Sequence, residues 1–367
     1  MNFKSLQLQP QLSYDQANII NEFRLLLSQV TYLFRFYIVA SIDGIGNSQD
    51  IANEILKLPL RGNELVNSIN GFNEDFTPIT EAYITGLKNL IGGMLSGDQD
   101  KANESIRQLY EIADQNARQL AQLSPYWDED KWRDLFYVLN RDLVAEVIAI
   151  ESGDYNKALD IFEISMEEAL KRADYYAEGV INFLPEDQQN IPIAYFNMIK
   201  DFRELRTEWS YLTRFYIVAK ILGLGDDAYV TQRFFDLVLR MEEKFELILG
   251  TEIADELYNL LSIYAIRVEE LINAILSGDT ATIEAQTNAL RQYDDNLAVY
   301  LGSINPYWDE AIWKDLLNTT AELIIKESNE LYTKDYTAAA LTFEELLYAS
   351  LAIGDYFALG LYQYALI

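Results

Sequence analysis

The side chains that could do chemistry in this sequence are carboxylates, arginine, lysine, tyrosine and hydroxyls, because it contains neither histidine nor cysteine. That absence removes Ser-His-Asp and Cys-His nucleophile systems, which need the missing base or thiol. It also removes His/Cys zinc sites, iron–sulfur clusters and disulfides. Three acidic positions recur at a spacing of 181: Asp134 and Asp315, Glu146 and Glu327, Asp174 and Asp355. Carboxylates on neighbouring helices are the raw material of a hard-cation site. No loop has the EF-hand spacing, however, and carboxylate-bridged bundle sites draw on histidines that are missing here. These acids therefore read as helix caps, solvent-facing groups or partners for arginine. No metal, cofactor or catalytic residue is expected.

The most informative cation is Arg35, with its repeat Arg214. Each lies in an aromatic run, Phe34-Arg35-Phe36-Tyr37 and Thr213-Arg214-Phe215-Tyr216. A guanidinium in such a setting needs a buried carboxylate or a stacked ring. The expectation is an internal ion pair in each copy, with Glu146/Glu327 or Asp174/Asp355 as the acid. The rival reading is a ligand anchor. Trp127-Asp-Glu-x-x-Trp132 and its twin from Trp308 to Trp313 resemble a chemical motif. Large amphipathic rings near a helix start more often lock an entering loop, so they read as structural. Glycine-rich phosphate loops are absent.

These residues sit in a sequence that repeats itself. Arg35-Phe-Tyr-Ile-Val-Ala40 recurs unchanged as Arg214-Phe-Tyr-Ile-Val-Ala219, Leu95-Ser-Gly-Asp98 as Leu276-Ser-Gly-Asp279, and Pro125-Tyr-Trp-Asp-Glu129 as Pro306-Tyr-Trp-Asp-Glu310. A near-constant offset across these blocks marks an internal duplication. The join falls in the polar, two-proline stretch Leu184-Pro-Glu-Asp-Gln-Gln-Asn-Ile-Pro192, giving domains 1–186 and 187–367. Each is an ordinary domain size.

Within a copy the apolar period is helical. Ile19, Phe23, Leu26, Val30, Leu33 and Tyr37 step by three or four, and Ser13-x-x-Gln16 before them is a capping-box pattern. Ser-Gly-Asp at 96–98 and 277–279 is a tight helix–helix turn. Gly153-Asp-Tyr155 is another, with Lys334 standing in for the glycine in the second copy. The expected fold class is all-α: two tandem antiparallel bundles of about five long helices each, plus a shorter irregular stretch.

Charge and composition bound the partners. The 58 acids against 28 basic residues give a net charge of −30, which opposes nucleic-acid binding. Residues 1–16 show no basic segment followed by an apolar core, so no secretory signal is expected. The apolar stretch 348–367 contains Asp355, two glycines and four tyrosines, which disfavours a membrane span. That same final helix differs between copies. Glu167, Glu168, Lys171, Arg172 and Glu178 become Tyr348, Ala349, Ala352, Ile353 and Leu359. Charges in the first copy imply a water-facing surface. Their loss implies that the matching surface is covered by the other copy, another subunit or a lipid surface; the net charge disfavours anionic lipid and Asp355 a bilayer span, so protein–protein contact, between subunits or between copies, is expected.

The order of the blocks resembles that of a family of small bacterial helical-bundle proteins from spore-forming lineages, often labelled acetylglutamate kinase. The residues that carry the likeness are Leu212-Thr-Arg214, Gly278-Asp279, Ser303-Ile-Asn-Pro-Tyr-Trp308 and Asp335-Tyr336. It covers almost all of each copy, as if two family units were fused. Family members place a histidine on three helices, which implies a metal site inside their bundle. The matching positions here are Val30/Trp209, Tyr83/Tyr264 and Leu139/Thr320. The resemblance thus implies a site refilled by apolar and aromatic side chains. The expected function is a non-enzymatic structural or interaction protein that self-associates or binds another protein, in a reducing cytoplasm or a spore compartment. The alternative is a binding protein holding a hydrophobic small molecule or a hard cation between helices.

Overall fold

A computed structural model describes residues 11–67, 75–184, 190–225 and 227–366. The chain is all-α apart from two three-residue strands, β1 (Gln11–Ser13) and β2 (Asn190–Pro192), which pair with each other. It divides into two compact units, 10–191 and 192–367. The division falls at 191/192 rather than 186/187, because pairing with β1 draws Asn190 and Ile191 into the first unit.

In the first unit α1 (Tyr14–Ile42) is followed by two short helices, α2 (Ser48–Ile55) and α3 (Leu58–Asn67). Four long ones come next: α4 (Thr77–Ser96), α5 (Gln99–Leu123), α6 (Glu129–Glu151) and α7 (Tyr155–Ile181). The capping box forms as its pattern requires. Gln16 N–H donates to Ser13 Oγ at 3.1 Å, and Ser13 N–H to Gln16 Oε1 at 3.1 Å. Asp98, Asp128 and Asp154 each accept a backbone N–H at the start of α5, α6 and α7, satisfying donors that the helix leaves unpaired. From α4 to α7, consecutive helices joined by short turns pack side by side, and α7 closes the bundle against α1. By length and composition α1 could cross a membrane, but 72% of its most apolar window is buried inside the protein.

The second unit holds α8 (Ile193–Leu222), α9 (Asp227–Leu249), α10 (Thr251–Ser277), α11 (Thr280–Ile304), α12 (Glu310–Tyr332) and α13 (Tyr336–Tyr364). Here the expected short, irregular stretch is a continuous 23-residue helix, α9. The difference is local chemistry. Pro59, which lacks a backbone donor, stands at the start of α3 just after the break that follows Ile55, whereas residues 227–249 contain no proline. The buried stripe of α9, from Val230 through Phe234, Leu237, Val238 and Met241 to Phe245, lies along one helical face.

Candidate functional site

Arg35 lies buried on α1 and donates through Nη1 to Glu146 Oε1 on α6 at 2.6 Å and to the Ala158 carbonyl on α7 at 3.1 Å. Its guanidinium covers the Phe162 ring at 5.4 Å. The second unit repeats this. Arg214 meets Glu327 at 2.6 Å and the Ala339 carbonyl at 3.2 Å, and covers Phe343 at 5.3 Å. Burial pushes the carboxyls of Glu146 and Glu327 up, while the adjacent guanidinium pulls each back down. With its acid, a backbone carbonyl and an aromatic face all supplied from within, this cation is engaged internally.

Asp174 and Asp355 are not its partners. They lie on the half-exposed side of α7 and α13, where Arg24 and Arg203, about three helical turns before Arg35 and Arg214, grip both carboxylate oxygens at 2.6–2.7 Å. Asp134 and Asp315 are exposed. The three recurrent acids therefore stay apart, and among the described residues no three acids cluster as a metal site would require.

The tryptophan blocks are packed in as wedges. Trp132 and Trp313 are fully buried. Trp127 Nε1 donates to the Tyr175 carbonyl at 2.8 Å, and the Tyr175 hydroxyl accepts from Asp128 N–H at 2.6 Å. Trp308, Tyr356 and Asp309 make the same pair of bonds. Gly179 and Gly360 are required by this clamp, since a β-carbon at either would overlap the indole nitrogen.

The five positions that lose their charges on the last helix do not share one face. Ile353 is 1% exposed, and so is its counterpart Arg172. This position faces the interior of each unit, so neither residue lies on an outer surface. It falls three residues after Ala169 (Ser350 in the second copy), on the helix face that packs inward. Tyr348, Ala352 and Leu359 remain exposed and Ala349 is half-buried.

The first unit contains a half-open cavity of about 120 Å³ between its helices. Its walls are apolar: Phe23, Val30 and Phe34 of α1, Ile55 of α2, Pro59 and Val66 of α3, Phe136 and Leu139 of α6. Val30, Tyr83 and Leu139, the three positions singled out by alignment, all line it. Four polar side chains also reach the wall: Tyr83 (α4), Asn116 (α5), Arg172 and Tyr176 (α7). Arg172 Nη1, the Tyr83 hydroxyl and Asn116 Oδ1 are buried without a hydrogen-bond partner among the described residues. The Tyr83 hydroxyl lies near Asn140, whose amide nitrogen is already committed to the Leu109 carbonyl at 2.8 Å. Burial lowers the Arg172 pKa to about 10, so the guanidinium remains charged near neutrality, and it raises both tyrosine hydroxyls.

The second unit fills the corresponding region with its own side chains. Trp209 replaces Val30 and packs against Phe234 at 5.4 Å and Tyr264 at 5.7 Å. Ile353 replaces Arg172, and a buried guanidinium arrives instead from α8 as Arg206, stacked over Trp209 at 5.0 Å. Asp294, fully buried where the first copy has Ala113, adds a carboxyl whose pKa burial raises to about 7. Arg206 and Asp294 both act electrostatically on Tyr264, the counterpart of Tyr83.

Sequence reasoning placed Arg172 on a water-facing surface, where the structure buries it, and did not single out Asn116, Arg206 or Asp294. A signal was present for Arg172. It lies on the inward stripe Ala158, Phe162, Ala169, Ala173 and Tyr176 of α7, where a charged residue has no business unless something meets it. No family model, curated protein or solved structure matches the chain.

Proposed function

We propose that this is a non-enzymatic binding protein whose first unit holds a small, mainly hydrophobic molecule between its helices. One observation carries the reading: an apolar cavity of about 120 Å³ meets buried polar atoms of Tyr83, Asn116 and Arg172 that no group among the described residues satisfies. Apolar walls with a few convergent polar groups are the usual make-up of a small-molecule site. A cavity of about this size holds a benzene-sized ring. The second unit, with Trp209 and Asp294 built in, serves as scaffold. Melting of the full chain against increasing toluene tests the reading. A ligand that binds only the folded state raises the melting temperature with concentration. Val30→Trp, which copies the second unit, should abolish the rise. Equal melting with and without saturating toluene defeats the proposal.

A second reading, self-association through α13, is supported by the exposed Tyr348, Ala352 and Leu359, which stand where the first copy carries Glu167, Lys171 and Glu178. Sedimentation of the triple variant Tyr348→Glu, Ala352→Lys, Leu359→Glu tests it. A mass in solution that stays oligomeric rules out this helix as the contact.

A further inference from the structure

We infer that the molecule held by the first unit carries a single carboxylate, seated on the Arg172 guanidinium with the Tyr83 hydroxyl and the Asn116 side chain beside it. This rests on the cavity reading above and goes beyond it by naming the charge of the ligand.

Arg172 is 1% exposed and makes no ion pair among the described residues. An unpaired buried charge is costly, and folded proteins meet it with a counter-charge or with hydrogen bonds. Two acids lie within electrostatic reach, Glu168 and Asp142. Each is bonded to another cation, Glu168 to Lys171 at 2.6 Å and Asp142 through Oδ1 to Arg141 at 2.7 Å, while Asp142 Oδ2 is buried without a hydrogen bond among the described residues and bonds Arg172 no more than Oδ1 does.

The second unit indicates what is missing. Around Tyr264 it places a buried cation, Arg206, and a buried carboxyl, Asp294. Around Tyr83 the first unit has the cation Arg172, which neither nearby acid bonds, with Ala113 where Asp294 would stand and open volume where Trp209 would stand. A ligand carboxylate would supply the hydrogen-bonded partner that Arg172 Nη1 lacks, and the ligand's apolar part would occupy the space that Trp209 fills in the other unit. A guanidinium forks onto a carboxylate through two parallel hydrogen bonds. One cation balances one anion. A phosphate dianion would leave a second charge uncompensated among Phe23, Val30 and Leu139.

The net charge of −30 repels an anion at long range, so association should accelerate as salt screens that field. Calorimetric titration of the full chain with benzoate, benzyl alcohol, toluene and phenyl phosphate tests the inference. Benzoate should bind at least about tenfold more tightly than benzyl alcohol, the scale of one charge-assisted hydrogen bond. Arg172→Met should erase that preference and leave toluene binding in place. Ala113→Asp, which copies the second unit, should weaken benzoate similarly and provides the test if Arg172→Met does not fold. Equal affinity for benzoate and benzyl alcohol, or tighter binding of phenyl phosphate, overturns the carboxylate assignment while toluene still reports the cavity. Failure of all four ligands to bind overturns the cavity reading itself.

Discussion

Trp127 and Gly179 are in such close contact that the indole nitrogen occupies the space a β-carbon on Gly179 would need. The indole reaches past the glycine to bond the Tyr175 carbonyl, one turn earlier on α7. Trp308 and Gly360 repeat the contact in the second unit. A glycine inside a long helix is otherwise unfavourable by roughly 0.5–1 kcal/mol relative to alanine. Its presence in both copies is explained by the ring lying against it.

Gly179→Ala should therefore destabilise the first unit, by about 1–3 kcal/mol through overpacking, although it improves helix propensity. Urea unfolding followed by tryptophan fluorescence measures this. A neutral or stabilising result would mean that the ring can move aside at no cost.

The buried ion pair predicts a non-additive pair of mutations. Arg35→Met alone leaves Glu146 buried without its partner and should cost roughly 3–5 kcal/mol. Adding Glu146→Leu should recover most of that loss, because the stranded charge is gone. A double-mutant cycle in denaturant reads the coupling, and additive losses would contradict the geometry.

Asp294 predicts a pH dependence of stability. Its folded pKa is raised to about 7 from 3.8. Between these values the folded state holds a proton that the unfolded state has released. This contribution to stability is therefore largest below about pH 4 and is lost as pH rises toward 7. Asp294→Asn should stabilise the chain at pH 8, by on the order of 2–4 kcal/mol, with a smaller gain at pH 5. Equal effects at the two pH values would show that Asp294 is ionised throughout.

Lys334 has a left-handed backbone, φ 64°, in the turn where Gly153 sits at φ 76° in the first unit. A side chain there costs roughly 1–2 kcal/mol that glycine avoids. Lys334→Gly should stabilise the second unit by about 0.5–1 kcal/mol after the entropy lost by glycine is counted. Thermal melting of the pair Lys334→Gly and Gly153→Lys should show shifts of opposite sign.

The sequence alone determined the all-helical class, the positions of most helix starts and the repeat. The repeat is plain from blocks matched across the chain, and the other two follow from local rules. The 3.6-residue apolar period, Ser13 with Gln16, and the aspartates at 98, 128 and 154 act within one turn of the backbone. The need of Arg35 for a partner was also legible, because a charge in an aromatic run must be met by something. Which acid met it was decided by the tertiary structure. Glu146 and Asp174 were equally available in sequence, and the packing of α1 against α6 and α7 brought one to Arg35 and left the other to Arg24. The cavity was likewise decided in three dimensions. It depends on the combined volumes of Val30, Tyr83, Leu139 and the interrupted α2–α3 segment, contributed by separate helices, and no local pattern records that sum. The unpaired state of Arg172 is likewise a property of distance. The acids are present in the chain, and packing places each of those nearby against a different cation.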